Sequence, residues 1–207
     1  MIKSQANMSG MLNAKKISPP KAPLSWRIKN VLRWNFILGF LAYYTAKGFT
    51  KLTGIPTITS RLMGRLIRDD GSTVDYGILG YRVVTTAGVG FLVDDWDDDT
   101  TDITTMNFHA SGTDNTAEDT SDTALGTEST GVTDRATGTK TQPSANVLQS
   151  VGTQTFTGSA AIVEHGILSS ATEGAGVLWD RTVFSAINVA SSDQIQFTYQ
   201  CTVNAGG

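Results

Sequence analysis

The densest group of chemically active side chains is a run of aspartates at residues 94–99, DDWDDD. Its members are Asp94, Asp95, Asp97, Asp98 and Asp99. Such a cluster can hold a divalent cation, form a solvated turn, or pair with basic residues of another chain. Asp95, Asp97 and Asp99 stand at positions 1, 3 and 5 of an EF-hand loop. Thr100 stands where the EF-hand loop requires glycine, and Met106 stands where it requires a bidentate glutamate, so the cluster is not an EF-hand. If it binds a cation, it does so as an irregular site at these three aspartates.

Charge is strongly segregated along the chain. Residues 1–68 contain most of the 16 Lys and Arg and none of the 19 Asp and Glu, whereas the remainder is strongly acidic. Such asymmetry predicts a basic arm that contacts a negatively charged surface. The candidates for that surface are nucleic acid, an anionic membrane and an acidic protein surface. A neighbouring copy of the same chain offers such a surface, and this favours pairing of the aspartates with a basic partner.

No catalytic or cofactor motif is present. The two histidines, His109 and His165, have no zinc-ligand spacing, and we expect His165 to be a structural hydrogen-bonding residue. The chain contains no G-x-S-x-G nucleophile turn and no phosphate-binding glycine loop. The single cysteine, Cys201, excludes a disulfide within the chain and is expected to be buried. We therefore predict a protein that is not an enzyme and needs no cofactor.

The basic arm is predicted to span residues 1–56. Residues 1–23 have little apolar periodicity and several prolines, so we expect an extended segment that a partner orders. A helix is expected over about residues 25–47, with Ser25 at its start and Gly48 at its end. Its apolar residues surround the axis, which is typical of burial in protein or lipid. The uncharged run is shorter than the roughly 20 residues of a membrane span, so burial between subunits is favoured over a membrane.

Residues 57–207 are predicted to form a β-sandwich or jelly-roll-like domain. Alternating apolar residues occur in several short segments that are separated by Gly and Ser turns, and Asp70–Gly71 signals a hairpin. Residues 90–96, GFLVDDW, and 103–110, ITTMNFHA, are interpreted as strands, and residues 111–143 as a long polar loop. The fold class is thus mainly β, with a basic N-terminal arm that contains one apolar helix.

Three motifs in residues 103–207 resemble small virion proteins of tailed bacteriophages. They are a DTAL-x-x-E loop (Asp122–Leu125 with Glu128), an I-x-E-x-G-[IL] strand (Ile162 to Ile167) and an L-x-[DA]-R-[TS]-x-F strand (Leu178 to Phe184). The upstream DDGSTVDYGILGYRVVTTAGVGFLVDDW is also similar to these proteins. The resemblance implies a structural role in the virion, with many copies and a homo-oligomer such as a trimer. It implies no functional residues.

The expected function is a capsid decoration or cement protein, which the N-terminal arm anchors to the major capsid protein. A tail or head–tail junction component is the alternative, and a glycan-binding module that uses the 111–143 loop and an exposed Trp179 is another. Nonspecific nucleic-acid contact by the arm also stays open. Beside the aspartates, the residues expected to make contacts are Arg27, Lys29, Arg33, Trp34, Phe36, Phe40, Tyr43 and Tyr44.

Overall fold

A computed structural model of the 207-residue chain describes residues 18–97 and 101–205. The helices are α1 (Leu24–Val31), α2 (Trp34–Thr53) and α3 (Thr86–Asp97), and a short 3-10 helix spans Ile103–Thr105. The strands are β1 (Thr57–Ile67), β2 (Thr73–Tyr81), β3 (Val83–Val84), β4 (Phe108–Gly112), β5 (Ala136–Thr137), β6 (Thr139–Ser144), β7 (Val147–Thr155), β8 (Ala160–Leu168), β9 (Leu178–Val189) and β10 (Gln194–Asn204).

The strands form two antiparallel five-stranded sheets. The first sheet has the order β2-β1-β10-β7-β6 and the second the order β3-β9-β8-β4-β5. In β10, every second residue from Ile195 to Cys201 is buried, which is the period of two that the sequence predicts for a strand with one covered face. Leu62 and Phe197 from the first sheet and Ile162 and Phe184 from the second are among the side chains of the common core. The expectation of a mainly β fold is therefore confirmed.

The turn between β1 and β2 follows its sequence signal. Gly71 has a φ of 78°, a left-handed conformation that glycine adopts without steric cost. The Oδ1 of Asp70 accepts a hydrogen bond from the backbone N–H of Ser72 at 2.8 Å. Asp70–Gly71 therefore marks the hairpin correctly.

The predicted single helix over residues 25–47 is wrong in its bounds. Two helices are present, since Arg33 has an extended conformation (φ −65°, ψ 133°) between α1 and α2. Pro23, and not Ser25, occupies the N-cap position of α1. Gly48 lies inside α2, which ends where Gly54 takes the left-handed conformation with φ 74°. Residues 1–17 lie outside the described residues, and so does most of the expected extended segment.

Two strand predictions are also wrong. Residues 86–97 form helix α3, and the backbone N–H of Gly88 donates to the Oγ1 of Thr85 at 2.9 Å, as in an N-cap. Residues 103–105 form the 3-10 helix. Within the segment 103–110 that was predicted as a strand, only residues 108–110 are in a strand, which continues to Gly112 as β4. The predicted 111–143 loop is shorter than expected, because β5 and most of β6 lie inside it.

Candidate interaction surface

Helix α1 is attached to both sheets of its own chain. The buried side chain of Asn30 donates from Nδ2 to the carbonyl of Leu79 in β2 at 2.9 Å, and its Oδ1 accepts from the N–H of Ser185 in β9 at 2.8 Å. The indole N–H of Trp26 donates to the carbonyl of Ala186 at 2.9 Å. Residues 24–31 are therefore part of the folded body as well as of the predicted arm.

Helix α2 lies on the edge of the first sheet, against Tyr81. A Cβ at Gly39 would meet the carbonyl oxygen of Tyr81 at 3.0 Å, so glycine permits the close approach of the helix. Tyr43 is buried, and its ring centroid lies 5.0 Å from that of Tyr81. Phe36 and Phe40 approach the same ring, each with centroids 5.6 Å apart. One side of α2 is thus covered by aromatic packing.

The opposite side of α2 is apolar and uncovered. The exposed fractions are 72% for Trp34, 47% for Leu38, 54% for Leu41 and 87% for Leu52. These four residues, which we call the outer face of α2, recur at spacings that keep them on one side of a helix. Exposed apolar patches of this kind mark interaction sites. Apolar residues are also exposed at the two ends of α1, since Leu24 is 66% exposed and Leu32, the C-cap residue, is 69% exposed.

Helices α1 and α2 both carry exposed cations. Arg27 and Lys29 of α1 are exposed, as are Lys47 and Lys51 of α2. The Nζ of Lys47 lies 4.6 Å from the ring centroid of Tyr43, a cation–π contact. Arg33 is half-buried, and this desolvation lowers the pKa of its guanidinium. The predicted basic and aromatic residues therefore lie on α1, on α2 and at Arg33 between them, although Tyr43 faces the body and not the solvent.

The aspartates lie at the end of α3, on another part of the chain. Asp94 and Asp97 are exposed, whereas Asp95 is half-buried and its Oδ1 accepts from the N–H of Ile103 at 2.9 Å. Asp98 and Asp99 lie outside the described residues. Within residues 18–97 and 101–205, no three His, Cys, Asp or Glu residues are grouped closely enough to hold a metal ion.

Helix α3 has an apolar face that sequence reasoning missed. Val89, Val93 and Trp96 are exposed by 47%, 50% and 77%. They recur at intervals of four and three residues, which places them on one side of the helix, and Asp97 flanks that side. The signal for the helix was a threonine, Thr85, which is a residue type favoured at helix starts, followed by apolar residues at intervals of four and three. The outer-face residues Leu38, Leu41 and Leu52 of α2 were missed for a different reason, because sequence alone did not show which side the body covers.

A serine and two histidines that resemble a catalytic arrangement are buried in the core. Arg82 donates from Nη1 to Nδ1 of His165 at 2.8 Å, so His165 must carry its proton on Nε2. That proton faces Nδ1 of His109 at 3.0 Å, and the Nε2 of His109 lies 2.8 Å from the Oγ of Ser150. The Oγ of Ser150 donates in turn to Oδ1 of Asn107 at 2.9 Å.

This chain of hydrogen bonds runs in one direction, from Arg82 to Asn107. His109 donates to Ser150 and therefore cannot accept its proton, as a general base would. Ser150 is also only 2% exposed. Burial lowers the pKa of His109 to about 3 and that of His165 well below its usual value, and the charge of Arg82 adds to both effects. The arrangement keeps both imidazoles neutral and orders the core.

The three motifs described above for residues 103–207 meet at a second buried polar cluster. The guanidinium of Arg181 bonds to Glu164 at 2.8 Å and to Asp122 at 3.0 Å. Glu164 also accepts from the backbone N–H groups of Gly126 at 3.0 Å and Thr127 at 2.9 Å. These charge-assisted bonds attach the polar loop at 113–135 to strands β8 and β9.

Trp179 is buried, and the expectation that it is exposed is wrong. Its exposed fraction is 7%, and its indole N–H donates to the hydroxyl of Tyr199 at 2.7 Å. The glycan-binding alternative, which used the 111–143 loop and an exposed Trp179, therefore lacks its aromatic contact. Cys201 is free and buried as expected, and burial raises the pKa of its thiol to about 11.

Comparisons with models of known protein families, with curated proteins and with solved structures found no match to this chain. Within the part of the chain that the structure describes, no helix is long and apolar enough to cross a membrane.

Proposed function

We propose that this chain is a structural protein of a tailed-bacteriophage virion, namely a capsid decoration or cement protein. In this proposal, residues 57–207 form a jelly-roll-like body that is displayed on the shell. The basic N-terminal arm anchors that body to the major capsid protein. The role is non-enzymatic and requires no cofactor. The phage-like motifs in residues 103–207 motivate the choice of particle.

The observation that carries the proposal is the uncovered apolar surface of the N-terminal helices. Leu24 of α1 and Leu32, the residue at its C-cap, are more than half exposed, although Trp26 and Asn30 fix the same helix to the body. A helix that is held in place and exposes leucines beside Arg27 and Lys29 suits a rigid docking element. An anchor that is already ordered avoids part of the entropy cost of binding.

The body supports the same role. Its core contains charged groups that are paired, such as Arg82 with Asp180, and Arg135 in two bonds to Glu128. Two antiparallel sheets around a shared hydrophobic core provide a folded unit for a particle surface. The two residues of the Ser150–His109 pair are used for packing, which agrees with a non-enzymatic role.

The test measures binding of the full-length chain to shells that lack it. Leu24→Ser with Leu32→Ser changes two exposed side chains and leaves Trp26 and Asn30 in place, so folding is preserved. Leu148→Ser is the matched control, because Leu148 is 44% exposed on β7 and outside the N-terminal helices. We expect co-sedimentation with shells to fall at least about tenfold for the double variant, as for a buried apolar contact, and to stay unchanged for the control.

Equal binding by the double variant and the wild type would refute the anchor. A deletion of residues 1–56 is a less specific test, since it removes the bonds of Trp26 and Asn30 to the body. Quantitative mass spectrometry of purified virions gives the copy number. Many copies over the shell agree with decoration, whereas a single ring of copies would assign the chain to the tail or the head–tail junction.

A further inference from the structure

A cavity of about 620 Å³ lies between the first sheet and the part of the chain that contains α3 and the 3-10 helix. On the sheet side it is lined by Ile58, Leu148 and Val203. Val203 follows the buried Cys201 by two residues and so shares its face of β10, while Ile58 is the cross-strand partner of Val203 and Leu148 that of Cys201. Ile58, Leu148 and Val203 therefore lie on the core face of the sheet, yet they are 41%, 44% and 50% exposed.

The layer opposite the first sheet changes at this end of the sandwich. Further along β10, Phe197 is fully buried against His165 and Phe184 of the second sheet. At the cavity, the opposite wall consists instead of Leu92 in α3, Ile103 in the 3-10 helix and the nearby Met106. The two layers thus enclose an apolar space that the side chains of these described residues do not fill.

The polar side chains of the wall already have partners within the chain. The donors are Trp179 to the hydroxyl of Tyr199 at 2.7 Å, Asn146 to the carbonyl of Val203 at 3.2 Å, and Gln142 to the carbonyl of Ala145 at 3.0 Å. A ligand in the cavity therefore finds mainly apolar contacts, as in most small-molecule sites.

Charge at the cavity is balanced. Among the described residues that line it, Lys140 alone is charged. Its ammonium donates to the carbonyl of Thr104, and the negative charge of Asp102 acts on the same group. A charged ligand would lose hydration without gaining a free opposite charge, so the cavity favours an uncharged one.

We propose that this cavity is a binding site for one small, uncharged, apolar molecule. Its volume lies within the range of about 300–1,000 Å³ that is usual for small-molecule sites. The driving force is removal of the ligand and of Ile58, Leu148 and Val203 from water. The cavity has walls on two sides, whereas the outer face of α2 is a convex surface, so a small molecule fits it better than a partner helix does. This site goes beyond the structural role proposed above.

The experiment titrates the full-length chain with N-phenyl-1-naphthylamine, an uncharged apolar dye whose fluorescence rises in apolar surroundings. We expect one dye molecule to bind per chain. Val203→Gln should weaken binding at least about tenfold, because it places an amide in the apolar wall. Val203→Trp should weaken it by a similar factor, since the larger side chain occupies the cavity, whereas on an open surface a tryptophan would strengthen binding.

Leu41→Gln is the matched control, because Leu41 is 54% exposed on the outer face of α2 and outside the cavity. Its affinity for the dye should equal that of the wild type. Ile58→Gln changes the same wall from a different strand and should act as Val203→Gln does, so the result does not depend on the folding of one variant. Val203→Gln should also bind shells as the wild type does, because it leaves α1 unchanged.

Competition with the bound dye determines the class of ligand. We expect 1-octanol to displace the dye, and octanoate and octylamine to displace it at least about tenfold less well, because their charges have no free partner beside Lys140 and Asp102. Displacement by octanoate at or below the octanol concentration would overturn the uncharged class, since Lys140 would then select an acid. A chain that binds no dye would refute the site. So would dye binding that survives Val203→Gln and Ile58→Gln, that increases with Val203→Trp, or that is lost with Leu41→Gln.

Discussion

His109 and His165 share a hydrogen bond of 3.0 Å in the core, and both imidazoles are fully buried. Because Arg82 donates to His165, neither ring can take up a proton without placing a second positive charge beside the guanidinium. The pKa of His109 is lowered to about 3 and that of His165 well below its usual value, in both cases first by burial. The pair therefore couples folding to pH.

We predict that the free energy of unfolding falls as the pH is lowered from 7 to 5. The folded pKa of each histidine lies below the unfolded value of 6.5, so the unfolded chain takes up two protons that the folded chain refuses. Burial raises the pKa of Asp180 from 3.8 to about 6, so the folded protein gains one proton in part of this range. The net loss should be about 2–3 kcal/mol, measured by urea unfolding at each pH.

Nuclear magnetic resonance gives an independent check of this prediction. The chain has only two histidines, so their ring signals are readily assigned. Both rings should remain neutral with the proton on Nε2 throughout pH 7 to 5. Titration of either ring near pH 6.5 in the folded protein, or a free energy of unfolding that does not change with pH, would show that the pair is not held neutral.

Sequence periodicity identified the sheets because it reports which face of a strand is covered. The alternation in residues 194–204 and the glycine at 71 are local signals, and both correspond to what the structure contains. Helix α3 was misread since residues 90–96 form a short apolar run, for which strand and helix periodicity cannot be separated. The break between α1 and α2 depends on the extended backbone at Arg33, which has no local sequence signal.

The polar clusters of the core could not be predicted from spacing. Arg82, His109, Ser150 and His165 belong to four different strands or strand ends and are far apart in the sequence. Their proximity follows from the pairing of β8 with β4 and from the packing of the two sheets. The same holds for the interaction surface, because the sequence showed that α2 is apolar all round but not that only one side is covered.

The second prediction compares two glycines of α2. A Cβ at Gly39 would meet the backbone oxygen of Tyr81 at 3.0 Å and its Cβ at 3.1 Å, whereas a Cβ at Gly48 would meet nothing within 4 Å. Gly48→Ala should raise the free energy of unfolding by about 0.5–1 kcal/mol, because alanine loses less entropy in a helix. Gly39→Ala should instead lower it by about 1 kcal/mol or more, since the helix must move away from β2.

Urea unfolding of both variants at pH 7 measures this difference, and each glycine variant is the control for the other. The two substitutions add the same methyl group to the same helix, so helix propensity cancels in the comparison. An equal gain in the free energy of unfolding for both would contradict the close approach of α2 to Tyr81.

The last prediction concerns the loop at 113–135, which Glu164 holds to the sheet. The carboxylate of Glu164 is fully buried, pairs with Arg181 and accepts from the N–H groups of Gly126 and Thr127. Glu164→Gln removes the negative charge and leaves Arg181 with Asp122 and the more distant Asp114, so the loss of charged hydrogen bonds should cost about 1.5–3 kcal/mol of unfolding free energy. The loop should then open more often and be cut by thermolysin at least about tenfold faster within residues 113–135.

Asp119→Asn is the matched control, because Asp119 is exposed in the same loop. Its side chain accepts a hydrogen bond from the nearby Ser121, and its backbone N–H donates to Asp122, so its bonds are local. Its cleavage rate should stay near that of the wild type, and mass spectrometry of the fragments locates the cuts. If Glu164→Gln leaves loop cleavage unchanged, or speeds cleavage equally throughout the chain, the loop is not held by this carboxylate in particular.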